Sequence, residues 1–246
     1  MKPPRTSWNG FPDVFIHASE SAVKQHAQYW DAKTGDAIAA DILVSATINS
    51  MQTAALDAMV GKQKPVLVSA HAYEQNGVNA IPEAFAYELG KLLGWSVDNS
   101  IVQINVVSHT GADGFSRLAR QAEFDGAVKV NTAYVLVDDF VGMGGTLANL
   151  RGHVEANGGK VVAAVALTGK PHSAKLCLTQ LTLETLRSTH GTELENWWQQ
   201  RFGHAFNALT ESEARYLIRT HDAATIRYRI VEAEQTGNSA QAGATS

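Results

Sequence analysis

The residues best placed for chemistry lie in one run, Tyr134-Val-Leu-Val-Asp138-Asp139-Phe-Val-Gly142-Met143-Gly144-Gly145-Thr146-Leu147. Two adjacent carboxylates stand where an apolar strand ends, a glycine-rich turn follows, and a helix begins. Glycines let backbone N–H groups wrap an anion, and a helix N-terminus adds partial positive charge. The carboxylates repel phosphate, so they suit a neighbouring polyol whose hydroxyls donate to them. The ligand implied is a sugar phosphate, with phosphate on the glycines and sugar on the aspartates. A P-loop would need Gly-Lys-Ser/Thr, which is absent. A dinucleotide fingerprint would place its glycines directly after the strand, where Asp138 and Asp139 intervene.

The elements that must position this run are legible as apolar periodicity. Val66 to Val68, Ile101 to Val107, Tyr134 to Val137 and Val161 to Leu167 read as four strands. Helices are expected from Pro82, with Phe85 and Leu89 on one face, and from Thr146 to Glu155. Nearly unbroken apolar strands alternating with helices describe an α/β protein whose parallel sheet is buried on both faces. Such sheets hold ligands beyond the carboxyl ends of their strands.

The flanking regions read as helical. Residues 1–62 form an arm and helices, with Asp36 placed to cap one of them. Residues 63–172 form the core. Residues 173–234 form a helical extension, in which Thr210 and Glu213 have the spacing of a capping box. Trp197, Trp198, Phe202 and Phe206 are expected to pack inside it. Residues 235–246, rich in Gly, Ser, Ala and Gln, read as a disordered tail.

From Val137 to Leu147 the chain resembles the phosphoribosyl-pyrophosphate signature of type I phosphoribosyltransferases, and the Asp-Asp-Phe start is similar to xanthine phosphoribosyltransferases and the purine repressor. The resemblance implies that family's fold, a central parallel sheet with a mostly helical hood drawn here from both chain ends. It implies that Asp138 and Asp139 hold the ribose hydroxyls of 5-phosphoribosyl-1-pyrophosphate while Gly142, Met143, Gly144, Gly145 and Thr146 cradle the 5′-phosphate. Ser69, Gly77, Val78 and Asn79 fall in the pyrophosphate loop. Residues 108–126 take the place of the flexible lid, with Arg117 and Arg120 closing over pyrophosphate. Lys170 stands where 6-oxopurine members bind the base. The implied activity belongs to nucleotide metabolism: transfer of the phosphoribosyl group from the Mg²⁺-bound donor to a nitrogen nucleophile such as a purine-type base, releasing pyrophosphate. Mg²⁺ would be held mainly by the donor's own oxygens. A homodimer is implied as well.

Two departures from that pattern open other readings. Gly142 stands where many members carry a catalytic Asp, and Met143 replaces a hydroxyl residue of the cup. They admit a regulator that binds the donor without turnover, or a hydrolase or effector using the same sugar-phosphate site.

Composition excludes several classes. With 246 residues, 45% hydrophobic and 18% charged, the chain reads as a globular protein with room for a substantial core. A formal charge of −4 argues against a nucleic-acid surface. Cys177 is the single cysteine, so no internal disulfide forms, and it reads as a small buried hydrophobe. The nine histidines show no metal-ligand spacing. No apolar run approaches a membrane span or a signal peptide, so a cytoplasmic location is expected.

Overall fold

The computed structural model describes residues 2–70, 73–74, 77–105 and 113–243. After an extended arm come strand β1 (Phe15–Ala18) and four helices, α1 (Glu20–Lys24), α2 (Tyr29–Lys33), α3 (Ala37–Thr47) and α4 (Ser50–Val60). Strands β2 (Val66–Ser69), β3 (Tyr73–Glu74) and β4 (Gly77–Val78) precede helix α5 (Ile81–Leu93) and strands β5 (Val97–Asp98) and β6 (Val102–Gln103). Helix α6 (Gly114–Ala119) and strand β7 (Phe124–Asp125) lead into β8 (Ala133–Val141), α7 (Gly145–Ala156) and β9 (Lys160–Gly169). Helices α8 (Gln180–Phe202), α9 (Glu211–Ile218) and α10 (Ala223–Gly243) complete the chain.

The architecture is α/β, a five-stranded parallel sheet in the order β1-β9-β8-β2-β5 with helices on both faces. Side chains alternate across a strand, so β8 feeds two cores. Val135 and Val137 pack with Leu43, Leu56, Phe85 and Leu89 of α3, α4 and α5. Tyr134 and Leu136 pack with Leu147, Leu150 and Val154 of α7 and with Trp8 and Phe11 of the arm. A third cluster joins α8, α9 and α10 to α6 around the fully buried Trp198 and Phe206.

Local signals explain several boundaries. The Asp36 carboxylate accepts from the amides of Ile38 and Ala39 at 2.9 and 3.0 Å and so opens α3. Thr210 and Glu213 form the capping box of α9. Among the described residues, no helix is long and apolar enough to cross a membrane.

Four expectations need correction. The run 101–107 does not supply a strand of the main sheet. Val102 and Gln103 pair antiparallel with Asp125 and Phe124 in a separate ribbon, and residues 106–107 lie outside the described residues. The place beside β2 goes to β5, two residues long and too short to leave an apolar signature. Residues 1–62 are more than arm and helices: Phe15 and Ile16 pair with Val165 and Ala166, making β1 an edge of the sheet. Four residues interrupted by His17 carry too weak a pattern to read as a strand. The two chain ends also part company, α2 to α4 packing with α5 while α8 to α10 pack with α6. Of the segment 235–246, residues through Gly243 belong to α10.

The arm lies directly on α7. A Cβ added at Gly152 would sit 1.8 Å from the Pro4 carbonyl oxygen, so only glycine allows this approach. Replacing Gly152 by Ala should push the arm off the helix at a cost of about 1–3 kcal/mol, typical of overpacking. Thermal denaturation together with protease cleavage near the N-terminus measures this. An unchanged melting temperature and cleavage pattern would show that the arm is not held there.

Candidate functional site

Strand β8 continues past its apolar stretch. Asp138, Phe140 and Val141 still pair with Ala166, Thr168 and Gly169, so the acidic pair sits within a central strand and not in the loop after it. Alternation sends Asp139 to the side of α2 and α5. There Lys33 Nζ lies 2.7 Å from its Oδ2, and Asn79 Nδ2 donates to the same oxygen at 3.0 Å. Asp138 is 7% exposed, and its Oδ1 accepts from the Asp139 amide at 2.8 Å. Burial raises the Asp138 carboxyl well above the ordinary range, and the charge of Asp139 adds to the effect. Burial acts on Asp139 in the same direction, but the Lys33 charge and the hydrogen bonds from Lys33 and Asn79 outweigh it and hold that carboxyl below its usual value. Burial thus favours the protonated form at Asp138, while Lys33 favours the charged form at Asp139.

The glycine loop starts at Gly142. Gly144 takes φ +83°, and a Cβ there would meet Leu176 Cδ2 at 2.3 Å. Glycine is required on both counts. Helix α7 then opens with no side-chain cap, so its first-turn amides are available to an anion. Arg117 and Arg120 line the same cleft, whose volume is about 360 Å³. Arg117 Nη1 lies 3.0 Å from where a Gly142 Cβ would stand. Arg117 stands on α6, and Arg120 follows it as the C-terminal cap. Phe115 and Leu118 bury α6 in the third core cluster, which fixes the helix that carries Arg117, while residues 108–112 lie outside the described residues. Met143 contributes through its backbone, its carbonyl accepting from Thr210 Oγ1 at 2.6 Å. Thr146 lines the cleft at the helix start.

The remaining expected residues divide. Asn79 reaches the cleft, but its amide serves Asp139. Ser69 is fully buried at the end of β2, in register with Val137. Gly77 and Val78 pair with Glu74 and Tyr73 in a two-stranded ribbon. Lys170 does not join the site. It follows β9 on the side of the edge strand β1 and borders a separate groove with Val14, Ile16 and Gln52. Motif reading missed the cleft's other wall, Arg5, Lys24, Tyr29, Trp30 and Lys33, which comes from the first 33 residues. Trp30 stands 67% exposed at the mouth, edge-on to Tyr29. Lys24 sits 4.7 Å above the Phe140 ring.

The cleft does not fit Mg²⁺ bound directly by protein. Asp139 is engaged by Lys33, burial disfavours the charged form of Asp138, and among the described residues no three His, Cys, Asp or Glu side chains converge.

No protein-family model matches the chain. Protein TraN of Escherichia coli is 36% identical over 249 residues, covering 97% of this chain and 56% of that protein. An uncharacterized protein of Haemophilus influenzae is 37% identical over 156 residues, covering 61% of this chain and 34% of that protein. The chain thus spans about half of the first relative and a third of the second. A purine phosphoribosyltransferase from Pyrococcus horikoshii is 20% identical over 48% of this chain and 72% of that one, with a TM-score of 0.32. At that score the likeness establishes neither a shared fold family nor an activity. The two sequence relatives overturn the expected reaction, since the protein matched along nearly the whole chain is a TraN and not a phosphoribosyltransferase. Phosphoribosyl transfer is set aside, and with it the donor-binding regulator and the hydrolase or effector at the same sugar-phosphate site.

The unequal aspartates have a measurable consequence. A raised carboxyl value means that ionising Asp138 opposes folding as pH climbs from the ordinary carboxylate range toward the raised one. Asp138→Asn keeps a donor toward Asp139 and removes that ionisation. Its melting temperature should exceed wild type at pH 7–8, by about 2–4 °C for each kcal/mol relieved, and the gain should vanish near pH 4. A gain independent of pH, or none, would mean that Asp138 is not held neutral.

Proposed function

We propose that this chain is a receptor domain for a sugar phosphate or similar phosphorylated polyol, held in the cleft between the end of β8 and the start of α7. The observation that carries the reading is the meeting of two complementary parts in one cleft. An uncapped helix N-terminus with Arg117 and Arg120 beside it suits a doubly charged phosphate. In the same cleft, an acidic pair whose two members favour opposite protonation states suits vicinal hydroxyls, since it can both accept and donate. Lys33 leaves Asp139 charged without leaving it unpaired, which allows a buried acid to stand close to a phosphate site. The exposed face of Trp30 at the mouth supports a ligand with an apolar or planar face beyond the sugar.

Calorimetric titration separates the two halves of the site. Wild type should bind ribose 5-phosphate more tightly than inorganic phosphate. Asp138→Asn/Asp139→Asn should weaken ribose 5-phosphate at least about tenfold, the loss of one charge-assisted hydrogen bond of about 1.5–3 kcal/mol, and should not weaken phosphate. Arg117→Gln/Arg120→Gln should weaken both ligands. A well-folded wild type that takes up neither would end this reading.

A further inference from the structure

The N-terminal arm enters the cleft at one residue. Arg5 makes a two-pronged ion pair with Glu213, Nη1 to Oε2 at 2.6 Å and Nη2 to Oε1 at 3.0 Å, while its Nε donates to Asn149 Oδ1 at 2.6 Å. Both charged side chains are 2% exposed, and both line the cleft. They meet beside the glycine loop. A Cβ placed on Gly145 would lie 2.8 Å from Glu213 Oε1 and 3.4 Å from Arg5 Nη2. A carboxylate so close to the first-turn amides of α7 would repel a phosphate unless a cation neutralised it, and Arg5 is that cation.

The same residue fastens the arm. Around it, Arg151 donates to the carbonyls of Thr6 and Ser7, Thr6 hydrogen-bonds Glu155, and Trp8 Nε1 donates to the Leu209 carbonyl at 2.7 Å. Glu213 also caps the Thr210 amide at 2.9 Å, and Thr210 holds the Met143 carbonyl. Arm, α9 and glycine loop therefore share one chain of hydrogen bonds with Arg5 at its centre. A guanidinium has five donors. Three are used here, so Arg5 can meet an anion without releasing Glu213.

We propose that Arg5 serves the cleft and the arm together, as a third guanidinium beside the phosphate position of Gly145 and Thr146 and as the fastening of the arm to α9, so that anion binding and arm docking reinforce each other. This rests on the phosphate half of the proposed function and goes beyond it by naming the residue that links ligand to arm. Coupling between two events is reciprocal, so phosphate must tighten the arm to the degree that the docked arm tightens phosphate.

Inorganic phosphate is the probe, and the wild-type chain gives the first measurement. Amide hydrogen exchange in residues 5–8 should slow several-fold at saturating phosphate. Calorimetry on Arg5→Gln/Glu213→Gln supplies the second. Removing both partners leaves no uncompensated buried charge, so this variant should stay folded where Arg5→Gln alone is at risk. Its phosphate affinity should fall at least tenfold. Unchanged exchange in a wild type that binds phosphate overturns the coupling even if the double variant does not fold, and an unchanged affinity in a folded double variant overturns the role of Arg5 in binding. Either result leaves the proposed function standing. A wild type that binds no phosphate removes that function and this inference with it.

Discussion

A carboxylate shut away from water must find a cation or take up a proton, and at the end of β8 two adjacent carboxylates face that requirement together. Stripping both of solvent while charged would cost several kcal/mol for each. The chain meets the constraint asymmetrically. Lys33 and Asn79 converge on one oxygen of Asp139 and favour its charged form, while burial and the neighbouring charge favour protonation of Asp138. Lys33 reaches that position because α2 packs on α3 and α3 on α5, which in turn packs on the sheet. The helices of the first sixty residues thus do more than cover a hydrophobic face. They deliver the cation without which the central strand could not carry two acids at its end.

On the other face of the sheet the glycine loop has a similar dependence. Its turn needs Gly144 in a left-handed conformation pressed against Leu176, and its carbonyl at Met143 is tied to the cap of α9. The C-terminal helices hold α6 and its Arg117 in place, and the arm brings Arg5 across α7. The cleft is a joint product of three regions far apart in the chain. Its relatives share this whole length or more than half of it, and each continues well beyond it.

The resemblance to phosphoribosyltransferases shows how far a short motif can mislead. Strand, paired acids, glycines and helix describe a physical arrangement for a phosphorylated polyol, and the structure does bring those parts into one cleft. A reaction needs more than that arrangement. The residue expected to meet a base, Lys170, borders a different groove, and Arg117, expected on a lid, stands on a packed helix. Function belongs to the site and not to a shared turn.

Periodicity and cap chemistry are local, and so they were readable. The buried runs of β2, β8 and β9, the caps at Asp36 and Thr210, and the glycine turn before α7 follow from residues within a few positions of one another. The segments β1 and β5 were not readable, because two to four residues carry no usable period and become strands only when a neighbour offers its edge. Nor could any local pattern point to Lys33 beside Asp139 or Arg5 beside Glu213, pairs separated by 106 and 208 residues. The amino-acid sequence by itself determined that a strand, two acids and an anion-ready helix start would follow one another. Only the tertiary structure decided which cations stand beside them, and so which acid keeps its charge, because desolvation and Coulomb attraction depend on distance in space and not on distance along the chain.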